Sequence, residues 1–165
     1  MDPMADKLDR LDRSILDILM EDGRAPAAQI AERIGLSRPA VAERMEKLEK
    51  ARVILGTTAV INPLAIGNSV TAFVSARRAG SLDPKGAKAL DKIMARDEIL
   101  EVHTVAGDDC YLIKIRTDSI PSLNAIVTSF TEPPLSMATR TTIVMETHSE
   151  KLGRVDLVKE MSRAQ

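Results

Sequence analysis

The chain has 165 residues, 44% of them hydrophobic, which is enough for a packed core and too many for a disordered chain. Only 2% are aromatic, which argues against a single-strand nucleic-acid binder built on stacking platforms, and the single cysteine, Cys110, excludes an intrachain disulfide. The net charge of −1 gives no global signal for nucleic acid, but residues 33–52 hold six basic and three acidic side chains, a local balance of +3.

In chain order, Asp6 to Asp22 reads as a helix. Leu8, Leu11, Ile15, Ile18 and Leu19 recur at helical spacing, Asp6 is placed to cap it, and Gly23 is a natural stop. A second, short helix is expected over Pro26 to Ile34, with Pro26 in its first turn. Gly35-Leu36-Ser37 breaks it, and Ser37 can cap a third helix running to about Ala51, with Val41, Met45 and Leu48 inward and Arg38, Pro39, Glu43, Glu46 and Lys47 outward. Two helices joined by a glycine turn, the second capped and basic outside, form the helix-turn-helix pattern; a plain three-helix bundle shows the same periodicity. Val53-Ile54 and Thr58 to Ile61 read as the two strands of a small wing, and Asn62-Pro63 opens a linker.

The second half alternates. Val70 to Arg77 is β-like, and Asp83-Pro84 starts a helix with Ala87, Leu90, Ile93 and Met94 inward. Ile99 to Val105 and Tyr111 to Thr117 form a hairpin around Gly107-Asp108-Asp109. Ser119 caps a helix with Leu123, Ile126, Val127 and Phe130 inward, and Thr139 to Thr147 is the last strand. The order βαββαβ is the ferredoxin-like arrangement. Val155 to Met161 adds a terminal helix. The expected class is α+β, with segments 1–61, a linker 62–69, a second domain 70–150 and a tail or helix 151–165.

These residues resemble the Lrp/AsnC, or feast/famine, regulators. The resemblance rests on the Leu11-Asp12-Arg13-Ser14-Ile15-Leu16 run, Asp22-Gly23-Arg24, Ile30-Ala31, the Gly35-Leu36-Ser37 turn, Val41, Arg44 and Leu48. It continues in Val53-Ile54-Leu55-Gly56, Asn62-Pro63 and the Val105-Ala106-Gly107-Asp108 turn, and covers about residues 8–150. It implies a winged helix-turn-helix DNA-binding domain (1–61) joined to a ferredoxin-like, RAM-type domain (70–150) that senses ligand and oligomerises. It further implies a homodimer, often assembled to a homo-octamer, and an amino acid bound between α/β domains near the glycine turn.

Four positions depart from the family pattern. Pro26 stands where Ser or Thr usually caps the second helix, and Arg52 stands for the glycine after the third. Cys110 replaces an acid of the sensor turn. Glu132-Pro133-Pro134-Leu135-Ser136-Met137 replaces the usual Leu-Pro-Gly-Val, close to the expected effector site.

The expected DNA contacts are Ser37, Arg38, Pro39, Glu43, Arg44 and Lys47, to double-stranded DNA. Ser37 is first a cap, and its helix N-terminus also suits a phosphate. Arg44, on the flank, either reaches a phosphate or pairs with an acid inside the small domain. The expected effector residues are Ala106, Gly107, Asp108, Asp109, Thr139 and Thr141. Gly-Asp is also ordinary hairpin chemistry, and threonines are β-formers first. A sheet with helices enough for one face, and apolar residues on the other, calls for a partner copy.

No phosphate loop, Gly-x-Ser-x-Gly or dinucleotide fingerprint is present, so neither an enzyme nor a cofactor is expected. His103, Cys110 and His148 lack metal-ligand spacing, so no metal is expected. With no apolar run near the roughly 20 residues that span a bilayer and no signal-peptide pattern, the expected setting is the cytoplasm, away from membranes. The leading reading is a sequence-specific transcriptional regulator responsive to a small molecule, most simply an amino acid. Its rivals are an architectural DNA-binding protein without effector and an amino-acid sensor acting through protein contacts.

Overall fold

The computed structural model describes residues 8–78, 80–152 and 155–156. It divides into two compact units, one of the residues up to Val60 together with those from His148 on, the other Ile61–Thr147.

The first unit is helical. Asp9 caps α1 (Arg10–Glu21) through a reciprocal box: the Asp12 backbone N–H donates to Asp9 Oδ1 at 2.7 Å, and the Asp9 N–H donates to Asp12 Oδ2 at 3.2 Å. The cap expected at Asp6 therefore falls three residues later in the chain; Asp6 itself lies outside the described residues. Pro26, expected inside α2 (Ala27–Ile34), sits just before it, where its carbonyl accepts from Gln29 and Ile30 and its ring offers no side-chain cap. Gly35 closes α2 at φ 72°, a left-handed turn that glycine adopts without Cβ strain. Ser37 Oγ accepts from the Ala40 N–H at 3.3 Å and starts α3 (Arg38–Lys50). Ile15, Ile18, Ile30, Ala31, Val41 and Leu48 form the buried core.

The expected wing is absent: 53–54 and 58–61 carry no ladder pairing. The backbone explains why. The N–H groups of Val53 and Ile54 both donate to the Leu48 carbonyl, at 2.9 and 3.2 Å, closing α3, so neither is available to a partner strand. Both side chains are drawn against the helical core, while Leu55 is left 81% exposed.

Arg52 makes this closure at φ 56°, the left-handed conformation for which the family pattern supplies glycine. Such a conformation disfavours a side chain by about 1–2 kcal/mol and a β-branched one by more. Arg52→Gly is expected to raise the urea midpoint of this unit and Arg52→Val to lower it, the two differing by more than about 1 kcal/mol after glycine's greater unfolded-state entropy is allowed for. Equal midpoints would show that the left-handed turn is not strained.

The second unit follows the βαββαβ order: β1 (Val70–Arg77), α4 (Pro84–Met94), β2 (Ile99–Thr104), β3 (Tyr111–Thr117), α5 (Ile120–Thr131) and β4 (Ala138–Ile143). The sheet runs β2-β3-β1-β4, every neighbouring pair antiparallel. Asp83 and Ser119 cap the two helices, as expected. Ala72, Val74, Ala76, Ile113 and Ile115 pack against Leu90, Ile93, Leu123, Ile126 and Phe130.

Ala87, expected inward, is exposed; Gly86 takes the inner position, where a Cβ would meet Leu82 Cδ2 at 2.8 Å. The last strand stops at Ile143 rather than Thr147. The sheet face away from α4 and α5 is more polar than expected. Register places Phe73 and Leu112 there among Thr71, Ser75, Glu101, His103, Lys114, Arg116, Arg140 and Thr142. The polar groups satisfy one another, with Lys114 to Glu101 at 3.2 Å and Arg116 Nε to Thr71 Oγ1 at 3.1 Å.

In the expected linker, Asn62 Oδ1 accepts from the Leu64 N–H at 2.9 Å and Leu64–Ile66 forms one 3₁₀ turn. The terminal helix expected from Val155 starts instead on a strand: β5 (Lys151–Leu152) pairs with β6 (Val155–Asp156). The rest of that expected helix lies outside the described residues.

Candidate nucleic-acid interface and effector pocket

Val41 and Leu48 anchor α3 on the helical core, which leaves Arg38, Pro39, Glu43, Glu46 and Lys47 exposed on the opposite side. Ser37 sits at the start of that face with its hydroxyl committed to the cap. Charge on the face is partly cancelled within the helix. Lys47 Nζ lies 2.6 Å from Glu43 Oε1, which holds the Glu43 carboxyl below its ordinary pKa, and Lys50 pairs with Glu46. Exposed i,i+4 pairs are worth only a few tenths of a kcal/mol, so a phosphate can displace Glu43 at little cost. Arg38 makes no ion pair among the described residues and stands beside the helix N-terminus, where backbone N–H groups also favour an anion.

Arg44 differs from its neighbours. Its Nη1 lies 2.7 Å from both Asp9 Oδ2 and Asp12 Oδ1, and its side chain is 29% exposed. Of the two readings open for Arg44, the structure shows the acid pair. The cap hydrogen bond from the Asp12 N–H, followed by the Arg44 bond, holds the Asp9 carboxyl below its ordinary value of 3.8. A depressed folded-state pKa gives stability that is present above the unfolded value and lost as pH falls through the folded one. Asp9→Asn, which keeps a good cap, should therefore flatten the loss of helical signal below about pH 4. An acid-unfolding curve identical to wild type would remove Asp9 from the acid response.

The second site is a pocket of about 420 Å³ at one corner of the sheet, lined by Arg77, Asp108, Asp109, Ala138, Thr139 and Arg140. Backbone pairing builds it. Arg77 pairs with Ala138 and Ala76 with Thr139, which brings the end of β1 beside the start of β4. The Cys110 N–H donates to the Ala76 carbonyl at 2.9 Å, and the Val105 N–H to the Cys110 carbonyl at 3.1 Å, which ties the turn between β2 and β3 to the same corner. Gly107 turns at φ 132°, a conformation that a side chain would strain although the space around it is open. Arg140 Nη2 lies 3.1 Å from Asp109 Oδ2.

Of the expected effector residues, Asp108, Asp109 and Thr139 line the pocket. Ala106 and Gly107 belong to the same turn without lining it, and Thr141 lies two residues further along β4, paired with Val74 on the helix side. Arg77 and Arg140 were not foreseen. Each reads in sequence as an ordinary surface charge on a strand, and only the β1–β4 register joins them to a turn some 30 residues away. Cys110 is not among the lining residues; its thiol points to the Arg78 carbonyl at 3.8 Å. The 132–137 loop, expected near the effector, feeds Leu135 and Met137 into the core and runs into Ala138, which lines the pocket.

Comparison with known proteins bears on both sites. An AsnC-type helix-turn-helix domain matches residues 8–49, and an Lrp/AsnC ligand binding domain matches residues 71–153. The chain belongs to the Lrp/AsnC family of transcriptional regulators. It is 37% identical over 144 residues to the HTH-type transcriptional regulator FL11 of Pyrococcus abyssi, covering 87% of this chain and 93% of that protein. The leucine-responsive regulatory protein of Escherichia coli is 36% identical over 146 residues, 84% of this chain and 85% of the other. The structure of the feast or famine regulatory protein of M. tuberculosis complexed with L-methionine matches with a TM-score of 0.76 at 32% identity, covering 87% of this chain and 95% of that one.

Each candidate site of this Lrp/AsnC regulator falls within one of the two domain matches. α3 lies in the DNA-binding helix-turn-helix match, and the pocket lies in the ligand-binding match. Both matches are to regulatory domains and neither is to an enzyme. Among the described residues, no helix is long and apolar enough to cross a membrane.

Proposed function

We propose that this Lrp/AsnC regulator binds duplex DNA sequence-specifically through the outer face of α3, and that an amino acid held in the Asp108–Arg140 pocket sets its DNA affinity or assembly. The observation that carries the reading is the charge pattern of the pocket, which two arginines, Arg77 and Arg140, line together with two aspartates, Asp108 and Asp109. A zwitterion complements such a site. Its carboxylate suits the planar fork of an arginine, and its ammonium suits an aspartate. The leucine-responsive name of one relative and the bound methionine of another point to the same ligand class.

On the DNA side, Arg38 and Lys47 supply the cations, Ser37 and Pro39 shape the entering helix end, and Glu43 can accept from a cytosine amine once Lys47 is drawn to phosphate. The working unit is a homodimer acting in the cytoplasm, whose two α3 helices would address half-sites about 34–36 Å apart. A ligand that prefers one assembly shifts the population of assemblies and so the spacing of these helices.

The test is calorimetry of the twenty amino acids against the wild type, Arg77→Ala and Asp108→Ala, followed by DNA titration with and without the best ligand. Each variant should weaken that ligand by about 10- to 100-fold, the loss of one charge-assisted hydrogen bond of roughly 1.5–3 kcal/mol. Binding at wild-type strength in both variants would place the effector elsewhere. Binding of no amino acid would favour an architectural role.

A further inference from the structure

We infer that Arg44 is a positioning residue that locks the DNA-reading helix to the start of α1, and that it does not itself contact phosphate. The inference rests on the reading of α3 as the DNA-contacting element. Its ground is a four-part network. Asp9 and Asp12 each commit one carboxylate oxygen to the backbone of the other in the capping box, Asp9 Oδ1 to the Asp12 N–H and Asp12 Oδ2 to the Asp9 N–H. Each turns its second oxygen to the same nitrogen of Arg44, at 2.7 Å. The cap of one helix and the mid-point of another are therefore closed by one guanidinium.

Two physical consequences separate Arg44 from Arg38 and Lys47. The first is charge. Arg44 with its two aspartates carries a net −1, so the cluster repels a phosphate where an isolated arginine attracts one. Drawing Arg44 outward would also leave two carboxylates facing the DNA. The second is geometry. Arg44 falls one helical turn from Val41 and from Leu48, both buried against the core, so it lies on the flank that faces α1. Asp12, at 16% side-chain exposure, is the less exposed of its two partners. A contact between the start of α1 and the middle of α3, 32 residues apart, fixes the rotation of α3 about its axis, and that rotation decides whether Arg38, Glu43 and Lys47 all meet the groove.

The experiment measures the affinity of the full chain for a fluorescein-labelled duplex, selected by the wild-type chain from a random pool, across a series of salt concentrations. Arg44→Met, which keeps the packing stem, and Asp12→Asn, which keeps the capping oxygen, are compared with Lys47→Ala. A positioning role predicts that Arg44→Met and Asp12→Asn each weaken binding about tenfold with the wild-type salt slope, and that the double variant is no weaker than either alone. Arg44→Lys should restore part of the loss. Lys47→Ala should lower the salt slope by about 1 per chain bound, because a phosphate contact releases a counterion.

The inference is overturned if Arg44→Met lowers the slope as Lys47→Ala does. It is also overturned if Asp12→Asn tightens binding, the result expected when an acid is merely withholding a phosphate-binding arginine. An unchanged slope for Lys47→Ala would instead refute the reading of α3, while the sign of the Asp12→Asn effect still decides the role of Arg44. Should Arg44→Met fail to fold, Asp12→Asn alone carries the same two outcomes.

Discussion

Phe130→Ala is expected to lower the stability of the sensor unit by about 3–5 kcal/mol, the usual range for truncating a fully buried phenylalanine. Phe130 is completely buried and heads the large side chains of the sheet-and-helix core. With so few aromatics in the chain, Leu, Ile, Val and Met surround it, and none is large enough to refill its volume without leaving a rotamer well. A domain of 61–147 has a total stability of roughly 4–13 kcal/mol, so the loss is most of it. Tyr111 is the sole tyrosine and there is no tryptophan, so tyrosine emission during urea unfolding reports this unit alone. The midpoint should collapse toward zero denaturant and the pocket at the sheet corner should vanish with it. A shift of less than about 1 kcal/mol would mean that the core repacks around the cavity.

Ile30→Ala carries the matching result for the helical unit. Ile30 is fully buried where α2 meets α1 and α3, and its loss should remove about 2–5 kcal/mol from a unit whose whole stability is roughly 3–8 kcal/mol. Specific DNA binding should disappear and the helical circular-dichroism signal should fall. The tyrosine transition and ligand binding should persist, because the two cores are separate clusters with no buried residue in common. Simultaneous loss of both transitions would show that the units fold as one cooperative body and would require the two cores to be coupled.

Much of this architecture is written locally. Ser37, Asp83-Pro84 and Ser119 mark helix starts because a cap needs only its own next three residues. Gly35 and Gly107 mark turns because positive φ is a property of one residue. The strands β1 and β3 are legible in full as β-like runs with the expected bounds, and with them the βαββαβ order. Order, spacing and short motifs were also enough to carry the resemblance to the Lrp/AsnC regulators, which the domain matches at 8–49 and 71–153 then established.

What tertiary structure decided concerns partners distant in sequence. Val53 and Ile54 have the composition of a strand, but the Leu48 carbonyl had first claim on their N–H groups, and no local rule reveals that competition. The sequence left Arg44 open to a phosphate or an acid; the packing of α1 against α3 paired it with Asp9 and Asp12. Arg77 and Arg140 entered the pocket at the sheet corner because β1 lies between β3 and β4 in one particular register. A slip of one residue would have turned both to the helix side, since neighbouring side chains on a strand point to opposite faces. Register is set by the whole buried face at once, by Ala72, Val74 and Ala76 against the helices, and so the charges on the other face are placed by residues that never touch them.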